Sequence, residues 1–150
     1  MRIATSSARL PSDDLMAAAR AEPLWLDVKI ALTIHDRQLA EHGGSSGVRD
    51  AGLLESALAR PVNAWAYGEA DPAALAAAYA FGVARNHPFV DGNKRTAWVL
   101  ARLFLALNGH ELRFDAAEAI AAMLALAAGE LSEAEMAGWF RSHLGGPASA

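Results

Sequence analysis

Two long apolar runs, Ala73 to Ala84 and Ala97 to Leu107, flank a polar segment that neither run can absorb. Both runs are rich in alanine and leucine, the strongest helix formers, which points to closely packed helices rather than sheet. Asp71-Pro72 opens the first, a capping carboxylate followed by proline at the first helical position, and the stretch is apolar all round as far as Asn86. A helix without a polar face belongs at the centre of a bundle. Neither run is long enough to cross a bilayer, and Arg102 interrupts the second.

The fold class that follows is all-α, a compact bundle of six to seven helices. His87-Pro88 ends the central helix, and Asn93 begins the next, which stops at Asn108-Gly109. Upstream, a helix from Leu26 places Ile30 and Ile34 near one face and ends at Gly43-Gly44. Asp50 caps a segment carrying Leu53, Leu54, Ala57 and Leu58, and Pro61 is expected to close it, because the residue before a proline avoids the helical region. Pro61 to Ala70 is then a loop or short hairpin. Asp115 with Glu118 and Ser132 with Glu135 form capping boxes, opening helices that end near Gly129 and His143. Ser12-Asp13-Asp14 can cap a short helix to about Arg20, stopped by Pro23. These signals divide the chain into an N-terminal appendage over 1–23, one domain over 24–144 and a frayed tail over 145–150.

With 53% hydrophobic and 20% charged residues in 150, the chain is a single well-packed domain rather than a disordered one. The net charge of −4 argues against a general grip on nucleic acid, although a local basic patch can still hold phosphate. Cysteine is absent, which excludes disulfides, thiol nucleophiles and cysteine-ligated zinc and fits a reducing compartment. Arg2 is followed by no apolar stretch of the kind an export signal needs, so the cytoplasm is the expected location, with no membrane association.

The segment between the two apolar helices is Arg85-Asn86-His87-Pro88-Phe89-Val90-Asp91-Gly92-Asn93-Lys94-Arg95. A connection between core helices needs only a turn residue or two. This one gathers an imidazole, a carboxylate, amides and three cations. Cations crowded beside a buried helix end are unfavourable unless an anion neutralises them. Gly92 and Asn93 precede a first helical turn, where unpaired amides and the positive end of the helix dipole form an anion hole. Lys94 and Arg95 add full charge beside it. Asp91 suits Mg²⁺, which prefers one or two carboxylates plus phosphate oxygens, and it can also cap the helix. His87 can serve as general base toward a hydroxyl near neutral pH. Base, metal carboxylate and phosphate cradle are the parts that phosphoryl transfer needs.

Simpler roles weigh against each residue taken alone. His87 beside a proline is an ordinary turn residue, and Lys94-Arg95 an ordinary solvated turn. Arg85 is divided evenly between capping its helix and contacting phosphate. His35, His42, His110 and His143 are scattered and favour structural or solvated roles, and Trp25, Trp98, Trp139, Phe104 and Phe140 lie at helical spacing suited to the core. The string is not a nucleotide P-loop, because its glycine spacing and preceding strand are absent.

His87, Phe89, Asp91, Gly92, Asn93, Lys94 and Arg95 together resemble the signature of the Fic/Doc superfamily, His-x-Phe-x-Asp/Glu-Gly/Ala-Asn-Gly/Lys-Arg. The similarity to its Doc (death-on-curing) branch extends to Ile34-His35-Asp36, His42-Gly43-Gly44, Asp50 to Leu58 and Ala128-Gly129-Glu130-Leu131-Ser132, over residues 26–143. Relatives that transfer AMP carry Gly-Asn-Gly-Arg-x-x-Arg. Here Lys94 replaces the second glycine and Trp98 the second arginine. The resemblance therefore implies a kinase that moves the γ-phosphate of ATP to a protein serine or threonine, with Mg²⁺, rather than an AMP transferase. A catalytically silent peptide-binding module is the alternative from another class.

By position, the resemblance implies His87 as base, Asp91 as metal ligand, Gly92 and Asn93 as anion hole, and Arg85, Lys94 and Arg95 as phosphate contacts. Phe89 would anchor the loop, and Trp65 to Ala70 would occupy the place of the family's flap, which docks the target by strand addition. The implied setting is a toxin–antitoxin pair: a protein target such as a translation elongation factor, and a cognate antitoxin. No glutamate here is followed by glycine or asparagine, as the family's inhibitory helix requires, so restraint is expected in trans.

Overall fold

The computed structural model describes residues 21–145. The helix expected over Ser12 to Arg20 and most of the expected appendage and tail lie outside them. Six helices are present among the described residues: α1 (Val28–His42), α2 (Ala51–Ala66), α3 (Pro72–Asn86), α4 (Asn93–Leu107), α5 (Ala116–Ala128) and α6 (Glu133–His143). The described residues are all-helical, as expected. Among the described residues, extended pairing is limited to two isolated antiparallel bridges, Val48 with Phe89 and Leu112 with Leu144. No helix among them is long and apolar enough to cross a membrane.

The all-apolar α3 is the centre of the bundle, in contact with α2, α4, α5 and α6. Its alanines let neighbouring backbones approach, while Leu75, Tyr79 and Val83 fill the remaining volume. The closest approach is at Gly82, where a Cβ would stand 3.0 Å from both Cα and Cβ of Ala57 on α2. At one side of α3, Tyr79 and Trp25 pack on Phe104 of α4 with ring centroids 5.2 and 5.8 Å away. Trp98 joins Phe114, Trp139 and Phe140 in a second aromatic cluster, at 5.0, 5.9 and 6.1 Å. The aromatics assigned to the core from their spacing are there, with Phe104 and Phe140 fully buried.

One expected element is corrected. Pro61 does not close α2; it is buried inside the helix, which continues through Trp65 to Ala66, so no hairpin forms there. A proline within a helix costs about 3 kcal/mol. Leu54 and Leu58, buried on the same face, each contribute about 1.5–3 kcal/mol and offset it. The connection shrinks to Tyr67 to Asp71, with Tyr67 93% exposed.

Candidate active site

Five of the six described helices begin on a side-chain cap. Asp27, Asp50, Asp71, Asp115 and Ser132 each accept from an amide of the first turn, and Ser132 with Glu135 forms the reciprocal box. The exception is α4. Its cap is Gly92, left-handed at φ 76° and ψ 18°, with no side chain over the helix end. The amides of Asn93, Lys94 and Arg95 are left without an acceptor among the described residues. Free donors at the positive end of a helix bind anions. Lys94 and Arg95 are exposed in that same turn.

Asp91 does not cap α4, although its sequence position allowed it. Its carboxylate turns back, Oδ1 accepting from the Gly92 amide at 2.8 Å and Oδ2 from the Ser45 amide at 3.2 Å. These two bonds, Ser45 first, hold the carboxyl below the usual carboxylate range, with Arg95 adding to the effect. The group is exposed and ionised at neutral pH. Gly44 makes room for it, because a Cβ there would lie 2.8 Å from Oδ2.

Asn93 ties down the loop with its side chain and leaves its own amide free at the helix start. The buried carboxamide accepts from the Phe89 amide and donates to the Phe89 carbonyl, both at 2.9 Å. Phe89 is 1% exposed and anchors the loop, stacked on His35 of α1 with centroids 3.8 Å apart. His35 has a structural role, as its isolated position suggested, yet it reaches the site: Nε2 donates to the Asp91 carbonyl at 2.7 Å.

His87 is exposed at the C-terminus of α3, its amide closing on Val83 O at 3.2 Å. It is left-handed at φ 50° and ψ 58°, the one such non-glycine residue among those described. Arg85, two residues earlier, holds its guanidinium 5.1 Å from the Phe81 ring centre and beside Gly129. Residues that sequence reasoning did not single out complete the frame. Arg49 donates to the carbonyls of Asn86 and His87, each at 2.7 Å, and the amides of Arg49 and Asp50 share the Pro88 carbonyl. Arg49 and Ser45 carry no signal of their own in the sequence, because every one of these bonds pairs a main-chain group with a side chain 37 to 46 residues away.

A cleft of about 560 Å³ opens beside the helix end. One wall is Asp91, Gly92, Asn93, Lys94 and Arg95; the other is apolar, with Trp98, Phe114 and Met123 and the exposed Ile120 and Leu124. The structure thus brings five of the seven expected site residues to one cleft. Arg85 and His87 are not among its lining residues; His87 stands at the opposite end of the same short loop.

The Fic/DOC family model matches residues 25–105, which span α1 to α4 and the loop. The chain is 53% identical over 76 residues to "Toxin Doc" of Mycolicibacterium smegmatis, covering 49% of this chain and 58% of that relative. It is 36% identical over 111 residues to "Protein kinase doc" of Escherichia phage P1, covering 73% of this chain and 87% of that relative. The chain matches little more than half the length of the first relative and most of the second. With the family model matched over α1 to α4 and a relative 36% identical over 73% of this chain, this chain belongs to the Fic/DOC family.

Proposed function

We propose that the chain is a Doc-type toxin, a protein kinase that transfers the γ-phosphate of ATP to a serine or threonine hydroxyl and is restrained by a cognate antitoxin. The observation that carries this reading is the uncapped start of α4, where three free amides, Lys94 and Arg95 face a cleft edged by the Asp91 carboxylate. The names of the two relatives, a toxin and a protein kinase, support it.

The donor set fits a nucleotide phosphate carrying Mg²⁺. Among the described residues no group of three or more His, Cys, Asp or Glu could hold a metal unaided. Magnesium arriving on phosphates needs only one or two carboxylates. Asp91 would hold it, and when bound it would neutralise charge on the phosphate oxygens. The amides of Asn93, Lys94 and Arg95 would bind phosphate, and Gly92 lets the backbone come close. His87 would take the proton of the acceptor hydroxyl while its oxygen bonds to the γ-phosphorus. The bond from that phosphorus to the bridging oxygen breaks, and ADP leaves with the electron pair, its charge met by Lys94 and Arg95. Trp98, at the position of the second arginine in AMP-transferring relatives, favours terminal phosphate transfer.

The acceptor class that fits a translation-arresting toxin is an elongation factor, and the site of action would be the cytoplasm. The test is incubation of the purified chain with Mg²⁺, bacterial extract and ATP labelled separately at the α and γ phosphates. Label from the γ position on a protein, lost in His87→Ala and in Asp91→Asn, is the expected result. Label from the α position would end the kinase reading. Growth arrest that survives His87→Ala, with neither label transferred, would favour a silent binding module.

A further inference from the structure

The left-handed backbone of His87 needs an explanation, because a side chain with a Cβ adopts that conformation only when its surroundings impose it. Glycine usually occupies this position after a helix. Here one side chain reaches the carbonyls on both sides of the turn. Arg49 Nε donates to the His87 carbonyl and Nη2 to the Asn86 carbonyl, both at 2.7 Å, so one guanidinium holds the peptide oxygens on both sides of the Asn86–His87 junction. A planar fork of donors matches two consecutive carbonyls in a way that a lysine ammonium does not. Its charge also lies at the negative end of the α3 dipole.

The clamp is itself fixed. The Arg49 amide donates to Pro88 O at 2.7 Å, the Val90 amide to Gly47 O at 3.0 Å, and Asp50 caps α2 by accepting from Leu53 at 3.0 Å. The strap over 47–50 therefore crosses the loop and is continuous with α2. With the peptide planes around His87 pinned, the direction of its Cα–Cβ bond is set, and only the side-chain rotamer remains free.

We infer that Arg49 is a positioning residue for the His87 imidazole: by holding the carbonyls of Asn86 and His87 it fixes the left-handed turn that aims the ring. This rests on His87 being the base of the proposed reaction. Arg49 does its work through main-chain bonds, without touching nucleotide or acceptor.

The experiment compares Arg49→Ala, Arg49→Lys, His87→Ala and the double variant Arg49→Ala/His87→Ala, using Mg²⁺-ATP and the acceptor recovered by the labelling above. Folded Arg49→Ala is expected to lose about ten- to a hundredfold in kcat, bounded by the value of a general base, with KM for ATP within about twofold. Arg49→Lys is expected to lose less, and Arg49→Ala to cost nothing further once His87 is gone. Histidine-labelled protein gives a second readout: the His87 ring resonance, assigned by its loss in His87→Ala, moves in Arg49→Ala and Arg49→Lys while His35 and His110 stay in place. A raised KM with unchanged kcat would make Arg49 a phosphate contact and overturn the inference. So would independent, multiplying losses in the double variant, or a loss of thermal stability with an unmoved His87 resonance. If the wild-type chain transfers no label, the kinase reading falls by itself, and the resonance comparison still decides whether Arg49 sets His87.

Discussion

His35 Nε2 lies 2.7 Å from the carbonyl oxygen of Asp91, and the same ring stacks on Phe89 with centroids 3.8 Å apart. A carbonyl only accepts, so the imidazole carries its proton on Nε2. The ring thereby joins α1 to the loop through both of its faculties, an N–H toward the peptide before Gly92 and an apolar face against the anchor. It is 2% exposed.

Replacing this histidine separates the two contributions. His35→Phe keeps the stack and leaves the Asp91 carbonyl without its donor, at an expected cost of about 1–3 kcal/mol. His35→Ala removes both and is expected to cost about 3–5 kcal/mol. Urea unfolding measures each, and a His35→Phe variant as stable as wild type would show that the hydrogen bond contributes nothing.

Gly44 and Gly43 form a matched pair for testing the Asp91 carboxylate. Both have positive φ, +120° and +78°, so alanine strains either. A Cβ on Gly44 would lie 2.8 Å from Asp91 Oδ2, whereas one on Gly43 meets nothing within 4 Å. Each alanine is expected to cost about 1–3 kcal/mol of stability. Only Gly44→Ala is expected to raise the Mg²⁺ concentration needed for half-maximal transfer, several-fold in a titration. Equal shifts in both would mean that the carboxylate does not move.

Tyr79 gives the fold a dependence on alkaline pH. Burial pushes its hydroxyl from 10.0 up to about 12, opposed by the Leu26 amide that donates to it at 2.9 Å and aided by the charge of Asp27. The folded state holds this proton more tightly than the unfolded state. Its stabilisation is therefore complete below pH 10 and lost as pH rises toward 12. Tyr79→Phe should remove that part of the pH dependence. It should also cost about 1–3 kcal/mol at neutral pH, because the buried Leu26 amide loses its acceptor. Denaturant midpoints measured across the alkaline range check both.

Gly82→Ala reverses the helix-propensity rule. In an open helix the change would stabilise by about 1 kcal/mol. Here the new Cβ would stand 3.0 Å from the Ala57 Cα and Cβ, and α2 and α3 must separate, at an expected cost of about 1–3 kcal/mol. A raised melting temperature would show that the two helices yield freely.

Much of this protein is decided locally. The ends of α3, α4 and α6 follow from Asp71-Pro72, Asn108-Gly109 and the Ser132–Glu135 box, because caps and stops act over one turn of chain. The central place of α3 follows from its lack of a polar face. The candidate site, too, is largely contiguous: Asp91 to Arg95 line the cleft and His87 lies just upstream in the same loop. Tertiary structure decided the rest. Pro61 stays within α2 because buried leucines on its face outweigh a local rule, which no window of sequence can weigh. Asp91 turns to Ser45, Phe89 to His35, and the turn at His87 to Arg49, through contacts spanning 38 to 54 residues between elements that meet only when the bundle closes. Periodicity and capping are properties of neighbours along the chain. The direction of an imidazole and the setting of a carboxylate are properties of neighbours in space.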